Sequence, residues 1–208
     1  GLPSATEEVS LDESVESFRE LFLDSVRLRM RSDVRLGSCL SGGLDSSSIV
    51  GAMRALSEES KIDVITSCST HKEFDESSYA DLVSRFTNSR SSKVFPDPDA
   101  LIEIIDSILW HQDEPFGSAS IYAQWSVFEK ARELEIPVML DGQGADESHC
   151  GYNSFLRPYV IGQLSKGRLS SLWSNLKLLR PTKRKAFGSI LRGLLDLLTP
   201  SAFSEFFS

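Results

Sequence analysis

No apolar run in this chain approaches the roughly 18–20 residues that a bilayer-spanning helix needs, and the opening GLPSATEEVS lacks a basic segment followed by an apolar one. Those absences argue against a membrane span and a secretory leader, and the expected location is the cytoplasm. Cysteine is scarce: Cys39, Cys68 and Cys150 are odd in number, far apart and never arranged as CxxC. This excludes a disulfide framework and a zinc ribbon, and three small buried thiols are expected instead. Two phosphate loops are also missing, GxxxxGK followed by Ser or Thr and GxGxxG. A Walker A nucleotidase and a dinucleotide fingerprint are thereby set aside. Acidic residues vanish over 148–195, which hold nine bases and no Asp or Glu, whereas residues 1–147 hold 28 acids and 13 bases. Aromatic interleaving in the basic stretch is thin and the whole chain is acidic, so a nucleic-acid surface is not expected. A solvated helical appendage accounts for the stretch, with a wall that attracts a polyanionic ligand as the other reading.

What is present is an ordinary globular composition, 208 residues of which 40% are hydrophobic and 25% charged. The length allows one domain with an appendage, and the expected division is 1–160 and a helical extension over 161–208. The start at Gly1 and the end in SAFSEFFS suggest a piece of something longer.

The apolar pattern alternates between helical and extended periods. Residues 12–31 place Val15, Phe18, Leu21, Phe22, Val26 and Met30 at three- and four-residue spacing, an amphipathic helix. Strands are expected at 34–40, 62–68, 91–95 and 136–140, the last read as a compact buried strand. Helices are expected at 46–57, 75–86 (begun by Asp75), 98–110 and 121–135. Such alternation implies an α/β, Rossmann-like parallel sheet with helices on both faces. Beyond 153 the chain reads as helical pieces punctuated by Gly162, Gly167, Pro181, Gly188 and Gly193.

One stretch carries unusual chemistry. LSGGLDSSS, Leu40 to Ser48, packs two glycines, a carboxylate and four hydroxyls between the first expected strand and the helix after it. Ligands of open parallel sheets bind at the carboxyl ends of strands. There Gly42 and Gly43 let a phosphate approach main-chain N–H groups, Ser41, Ser46 and Ser47 add hydroxyl donors, and the helix start near Ser46 adds its positive end. Asp45 would repel phosphate unless a cation lies between, and so reads as a Mg2+ ligand. A second such stretch, DGQGADE at 141–147, follows the last strand and offers Gly142, Gly144, Asp146 and Glu147. Asp45 and Asp146, from two strand ends, could hold one Mg2+.

SGGLDS after a strand resembles the PP-loop of the ATP pyrophosphatase superfamily. The wider blocks SVRLRMRSDVRLGSCLSGGLDSS (25–47), FDESSYA (74–80), HQDEPFGSASI (111–121) and LDGQGADESHCGY (140–152) resemble the synthetase domain of the glutamine-dependent asparagine synthetase family over residues 12–152. The resemblance implies ATP-dependent amidation of a carboxylate through an acyl-adenylate, with release of AMP and pyrophosphate. It implies ATP contacts at Leu40, Ser41, Gly42, Gly43, Asp45, Ser46, Ser69, Asp141 and Gly142, metal at Asp45 and Asp146, and catalytic roles for Gln143, Asp45 and Asp146. Its implied partners are a small-molecule carboxylate and ammonia from a glutaminase domain or partner outside this chain. A homodimer is left open.

The chain departs from the family in two places. Asparagine-forming members usually carry glutamate where Gln143 stands, and an amide cannot take a proton from the incoming amine. The segment PFGSASI is shorter than its counterpart and lacks the arginine that would clamp the α-carboxylate of aspartate. The acceptor is therefore aspartate or another carboxylate. An adenylating enzyme of another kind, such as a cyclase, and an inactive or truncated ATP-binding module acting through a partner are the alternatives. Lys183 to Lys185 could stand in for a pyrophosphate lysine, although a solvated turn explains them. His111 reads as a structural cap, and Asp75 and Glu76 read as either cap or nucleotide neighbours.

Overall fold

A computed structural model describes residues 10–57, 61–71, 73, 75–168 and 170. The chain divides into two compact units, Gly1–Gly142 and Gln143–Ser208.

The first unit holds helices α1 (Leu11–Arg29), α2 (Leu44–Leu56), α3 (Ser77–Phe86), α4 (Pro98–Gln112) and α5 (Ser120–Glu133) and strands β1 (Leu36–Cys39), β2 (Asp63–Ser67), β3 (Arg90–Val94) and β4 (Val138–Leu140). All four strands run parallel in the order β3-β2-β1-β4, with Ser38 of β1 facing Val64 of β2 on one side and Leu140 of β4 on the other. The expected α/β sheet is therefore present.

β2 shows why helices cover both faces. Successive side chains of a strand point to opposite sides. Val64 joins Val26, Val50, Met53 and Ala80 in a core beneath α1, α2 and α3. Its neighbour Ile65 joins Val127, Ala131 and Ile136 in a second core beneath α5. Neither face of the sheet can be left wet, which is why the adjacent residues Val64 and Ile65 of this strand are both apolar.

The amino ends of the strands are tied by charge. Asp63, 8% exposed, accepts from Arg35 Nη2 at 3.0 Å and from Arg90 Nε and Nη2 at 2.9 Å each. Arg35 also donates to the Leu134 carbonyl at 2.8 Å. One carboxylate thus joins the residue before β1, the first of β2 and the first of β3, leaving the carboxyl ends to the loops.

Several boundaries differ from expectation. α2 begins at Leu44, with Gly43 as its N-cap, rather than near Ser46. The run IPVML is not a buried strand throughout. Only Val138–Leu140 pairs, at the edge of the described sheet, and Val138 is 37% exposed. Its first residues belong to the turn after α5, where Glu135 has φ 56 and Ile136 N–H donates to the Ala131 carbonyl.

The second unit, as far as it is described, comprises α6 (Ala145–His149), a 3-10 turn (Asn153–Phe155) and α7 (Leu156–Ser165). Gly162 does not interrupt α7, whereas Gly167, at φ 66, follows its end. Pro181, Gly188, Gly193 and Lys183 to Lys185 lie outside the described residues, as does most of the expected 161–208 extension. Among the described residues no helix is long and apolar enough to cross a membrane.

Candidate functional site

The strand order creates a switch point. From β1 the chain steps outward to β2 and β3, then returns through α4 and α5 to β4 on the other side of β1. The carboxyl ends of β1 and β4 therefore meet at that switch point, the place where open parallel sheets bind ligands. The two stretches singled out from the sequence start at those two strand ends.

After β1, Leu40 donates its N–H to the Ile65 carbonyl at 3.0 Å and its side chain is 1% exposed, so only its main chain belongs to the rim. Ser41 N–H donates to Ser46 Oγ at 3.2 Å, the two hydroxyls lie 3.0 Å apart, and Gly43 N–H donates to Ser41 Oγ at 3.1 Å. The hydroxyls expected to face a ligand thus brace the loop, and Ser46 is buried. Gly42 has φ 88, and a Cβ there would lie 2.6 Å from Ala80 N and from Tyr79 Cβ. Its glycine is required by backbone angle and by the close passage of α3, a role beyond the phosphate access read from the sequence. Gly43 has an ordinary φ of −66, and a Cβ there would meet only Ser41 Oγ, at 3.2 Å.

The early start of α2 places Asp45 in its first turn, half-buried, where a carboxylate is favoured by the helix dipole. Among the described residues Asp45 has no ion-pair partner. The chain leaving β4 passes directly over this turn. A Cβ on Gly142 would lie 3.0 Å from Ser46 N and 3.2 Å from Asp45 Cβ. Asp45 and Ser46, a third of the way along the unit, are brought together with Gly142 at its end.

Asp141 is held from below. Gln124 of α5 donates Nε2 to its Oδ2 at 2.5 Å, and the Cys39 thiol hydrogen-bonds to the same carboxylate. Burial first, and the Asp141 charge second, push the Cys39 thiol far above its ordinary range. The thiol stays protonated and donates, so it is no nucleophile. Ser69, half-buried after β2, accepts the His71 N–H at 3.1 Å. Asp75 accepts from Ser77 N at 3.2 Å and Ser77 Oγ at 2.9 Å, and these bonds hold its carboxyl below the usual range. These bonds brace the turn before α3, which starts at Ser77 with Glu76 as its N-cap and no side-chain cap bond, rather than at Asp75 as expected. His111 donates Nδ1 to the Ser107 carbonyl at 2.7 Å and meets Trp125 edge-on at 5.2 Å, a structural end to α4.

In the second unit Gln143 is exposed and Gly144, at φ 87, caps α6. Cys150 closes the helix at φ 57 and Gly151 N–H donates to the Asp146 carbonyl at 2.8 Å. A Cβ on Gly151 would overlap Asp146 Oδ1 and stand 2.7 Å from its Cγ. Tyr152 donates its hydroxyl to Glu147 Oε1 at 2.7 Å, which lowers the Glu147 carboxyl and raises the Tyr152 phenol relative to their ordinary values. Of the three thiols expected to be buried, only Cys68 is; Cys39 is half-buried and Cys150 exposed, because α6 ends at the surface with Cys150 outside any core.

Among the described residues no three His, Cys, Asp or Glu side chains cluster as a metal centre. The donors at Asp45 and Asp146 are oxygen carboxylates, which suit a hard cation that keeps most of its waters. Asp45, without an ion-pair partner among the described residues, is free to serve such an ion. Gln124, Gly151 and Tyr152 were not read as site residues from the sequence. The last two lie in the block 140–152, but their partners emerge only on folding.

Comparison with known proteins identifies relatives and a family. A Methanocaldococcus jannaschii protein provisionally named asparagine synthetase (glutamine-hydrolysing) 2 is 37% identical over 152 residues, 73% of this chain and 29% of its own length. Asparagine synthetase (glutamine-hydrolysing) 1 of Bacillus subtilis is 32% identical over 76% of this chain and 24% of its own. Amidase chry2 of Gibberella zeae is 31% identical over 70% of this chain and 24% of its own. The chain thus spans less than a third of the length of these relatives. The family model for asparagine synthase matches residues 17–206, and the chain belongs to the asparagine synthase family.

Proposed function

We propose that this chain carries the ATP-dependent, amide-forming step of a carbon–nitrogen ligase. The observation that supports it is the passage of Gly142 over Asp45 and Ser46 at the β1/β4 switch point, where the SGGLDS loop leaves β1. In this reading the main-chain N–H groups of the β1–α2 loop and the first turn of α2 receive the β- and γ-phosphates of ATP. Leu40 main chain, Ser69, Asp141 and Gly142 border the adenosine. Asp45 and Asp146 hold Mg2+, an assignment supported by their carboxylate chemistry and by the family. When bound, that ion neutralises charge building on the departing pyrophosphate.

The reaction begins when a substrate carboxylate oxygen attacks the α-phosphorus and the bond to the bridging oxygen breaks, releasing pyrophosphate. Ammonia then attacks the acyl carbon, the acyl–phosphate ester bond breaks to release AMP, and the amine loses a proton. Gln143 cannot accept that proton; its amide can donate to and orient the reacting groups, while the proton passes to water. This chemistry fits an acceptor other than aspartate, since PFGSASI supplies no arginine for an α-carboxylate. Two relatives are named as glutamine-hydrolysing, which supports ammonia delivered from a glutaminase domain or partner.

Pyrophosphate release with ATP, Mg2+ and ammonia, assayed across a panel of carboxylates, tests the proposal. Turnover with one or more acceptors is the expected result. Nucleotide binding without turnover for any acceptor, in the presence of the rest of the protein, would reduce the chain to an ATP-binding module.

A further inference from the structure

Resting on the functional reading above, we infer that Gly151 is a positioning residue that sets the direction of the Asp146 carboxylate toward a divalent cation. Two neighbouring acids, Asp146 and Glu147, start the short helix α6, and either could serve an ion. The chain treats them differently. Glu147 is engaged by Tyr152, whose hydroxyl donates to Oε1 at 2.7 Å. Asp146 instead folds its carboxylate over the bare α-carbon of Gly151, in space that a Cβ would occupy. The local backbone makes this approach compulsory. Cys150 turns the chain left-handed at φ 57, and Gly151 N–H returns to the Asp146 carbonyl at 2.8 Å, bringing position 151 back beneath position 146.

Gly151 itself does not need glycine for its backbone, since its φ lies outside the positive region. The nearest atoms to a Cβ there are Oδ1 and Cγ of Asp146, with the Asp146 Cα at 3.0 Å. A rotatable carboxylate is the cheapest thing to move. An added methyl group therefore swings the Asp146 side chain and leaves the turn in place. Loss of a group that orients a metal ligand without touching the metal typically weakens metal binding by about 10–100-fold.

The test uses the full 208-residue chain as Gly151→Ala, Asp146→Asn and the double variant. Binding of an α,β-methylene analogue of ATP is followed by calorimetry across a Mg2+ series, and the side-chain carboxyl 13C shift of Asp146 is followed by NMR without metal. The expected result is an Asp146 carboxyl signal displaced in Gly151→Ala. The Mg2+ concentration for half-maximal nucleotide binding should rise about tenfold, in line with losses of such orienting groups. Metal-free nucleotide binding and the melting temperature should stay near wild type, and the double variant should lose no more than Asp146→Asn alone. Gly151→Ala with a wild-type Mg2+ dependence overturns the inference, as does a loss of binding that is equal with and without metal. A wild-type chain whose nucleotide binding ignores Mg2+ overturns the functional reading and this inference with it.

Discussion

At the scale of single residues, adjacent glycines of one motif have separable duties. Gly42 is fixed by a φ of 88 and by α3 main chain 2.6 Å from its missing Cβ, while Gly43 has an ordinary φ and an open flank. Gly42→Ala should therefore cost about 2–3 kcal/mol of stability through strain and overpacking. Gly43→Ala should cost about 1 kcal/mol or less, the usual worth of an N-cap change, yet weaken nucleotide binding by crowding the phosphate approach. Urea denaturation and calorimetry on both variants check the split; equal stability losses would remove it. Asp75 offers a pH test. Its bonds to Ser77 lower its folded value below the ordinary carboxylate range, so its stabilisation is present above the unfolded value and disappears as pH falls through the folded one. The wild type should melt above Asp75→Asn at pH 7, and the two melting curves should converge in acid. Both roles are partly legible: SGG and FDES announce a tight loop and a helix start, but that Gly42 lies beneath α3 depends on a contact between positions 42 and 80 that no local pattern contains.

Helices and strands were more legible than their ends. The 3-4 spacing of Val15, Phe18, Phe22 and Val26 identifies α1, although only its second half packs into the core, Val15 and Phe18 being exposed, while burial on both faces marks β2 at Val64 and Ile65. The start of α2 was displaced by two residues because a glycine N-cap carries no side-chain signal, and Leu44, 82% exposed, adds no periodic one. IPVML looked like one buried strand because the turn after α5 also buries Ile136, so an apolar run continued across a boundary. The ion triad at the amino ends was not legible at all, since Arg35, Asp63 and Arg90 meet only when three strands align. Asp63→Asn leaves two guanidinium groups with a neutral partner. The arginines are 44% and 54% exposed, so water offsets much of the loss and the cost should be about 1–2 kcal/mol, below that of a fully buried pair. Chemical denaturation would read it, and Arg35→Met should recover little because Arg90 alone bridges Asp63 with two bonds.

On the scale of the whole chain, the functional proposal depends on two stretches acting on one ion. SGGLDS begins at the end of β1, DGQGADE at the end of β4, and the strand order makes those ends neighbours across the switch point. A parallel sheet that winds outward from β1 and then returns beside it can deliver loops far apart in sequence to one rim. The acidic excess of residues 1–147 works against this delivery, because a rim rich in carboxylates repels a nucleotide carrying several negative charges. A divalent ion reverses that sign locally, so nucleotide uptake should depend steeply on Mg2+ and the two aspartates should fail together. With Asp45→Asn, Asp146→Asn and the double variant, two carboxylates serving one ion predict that each single change raises the Mg2+ requirement about tenfold or more. The double change then adds little to either, since the second ligand has lost its purpose once the first is gone. Independent sites would instead give losses that multiply. Titrating nucleotide binding against Mg2+ for the four proteins separates the two patterns, and multiplying losses would overturn the shared ion while leaving the fold and the family untouched.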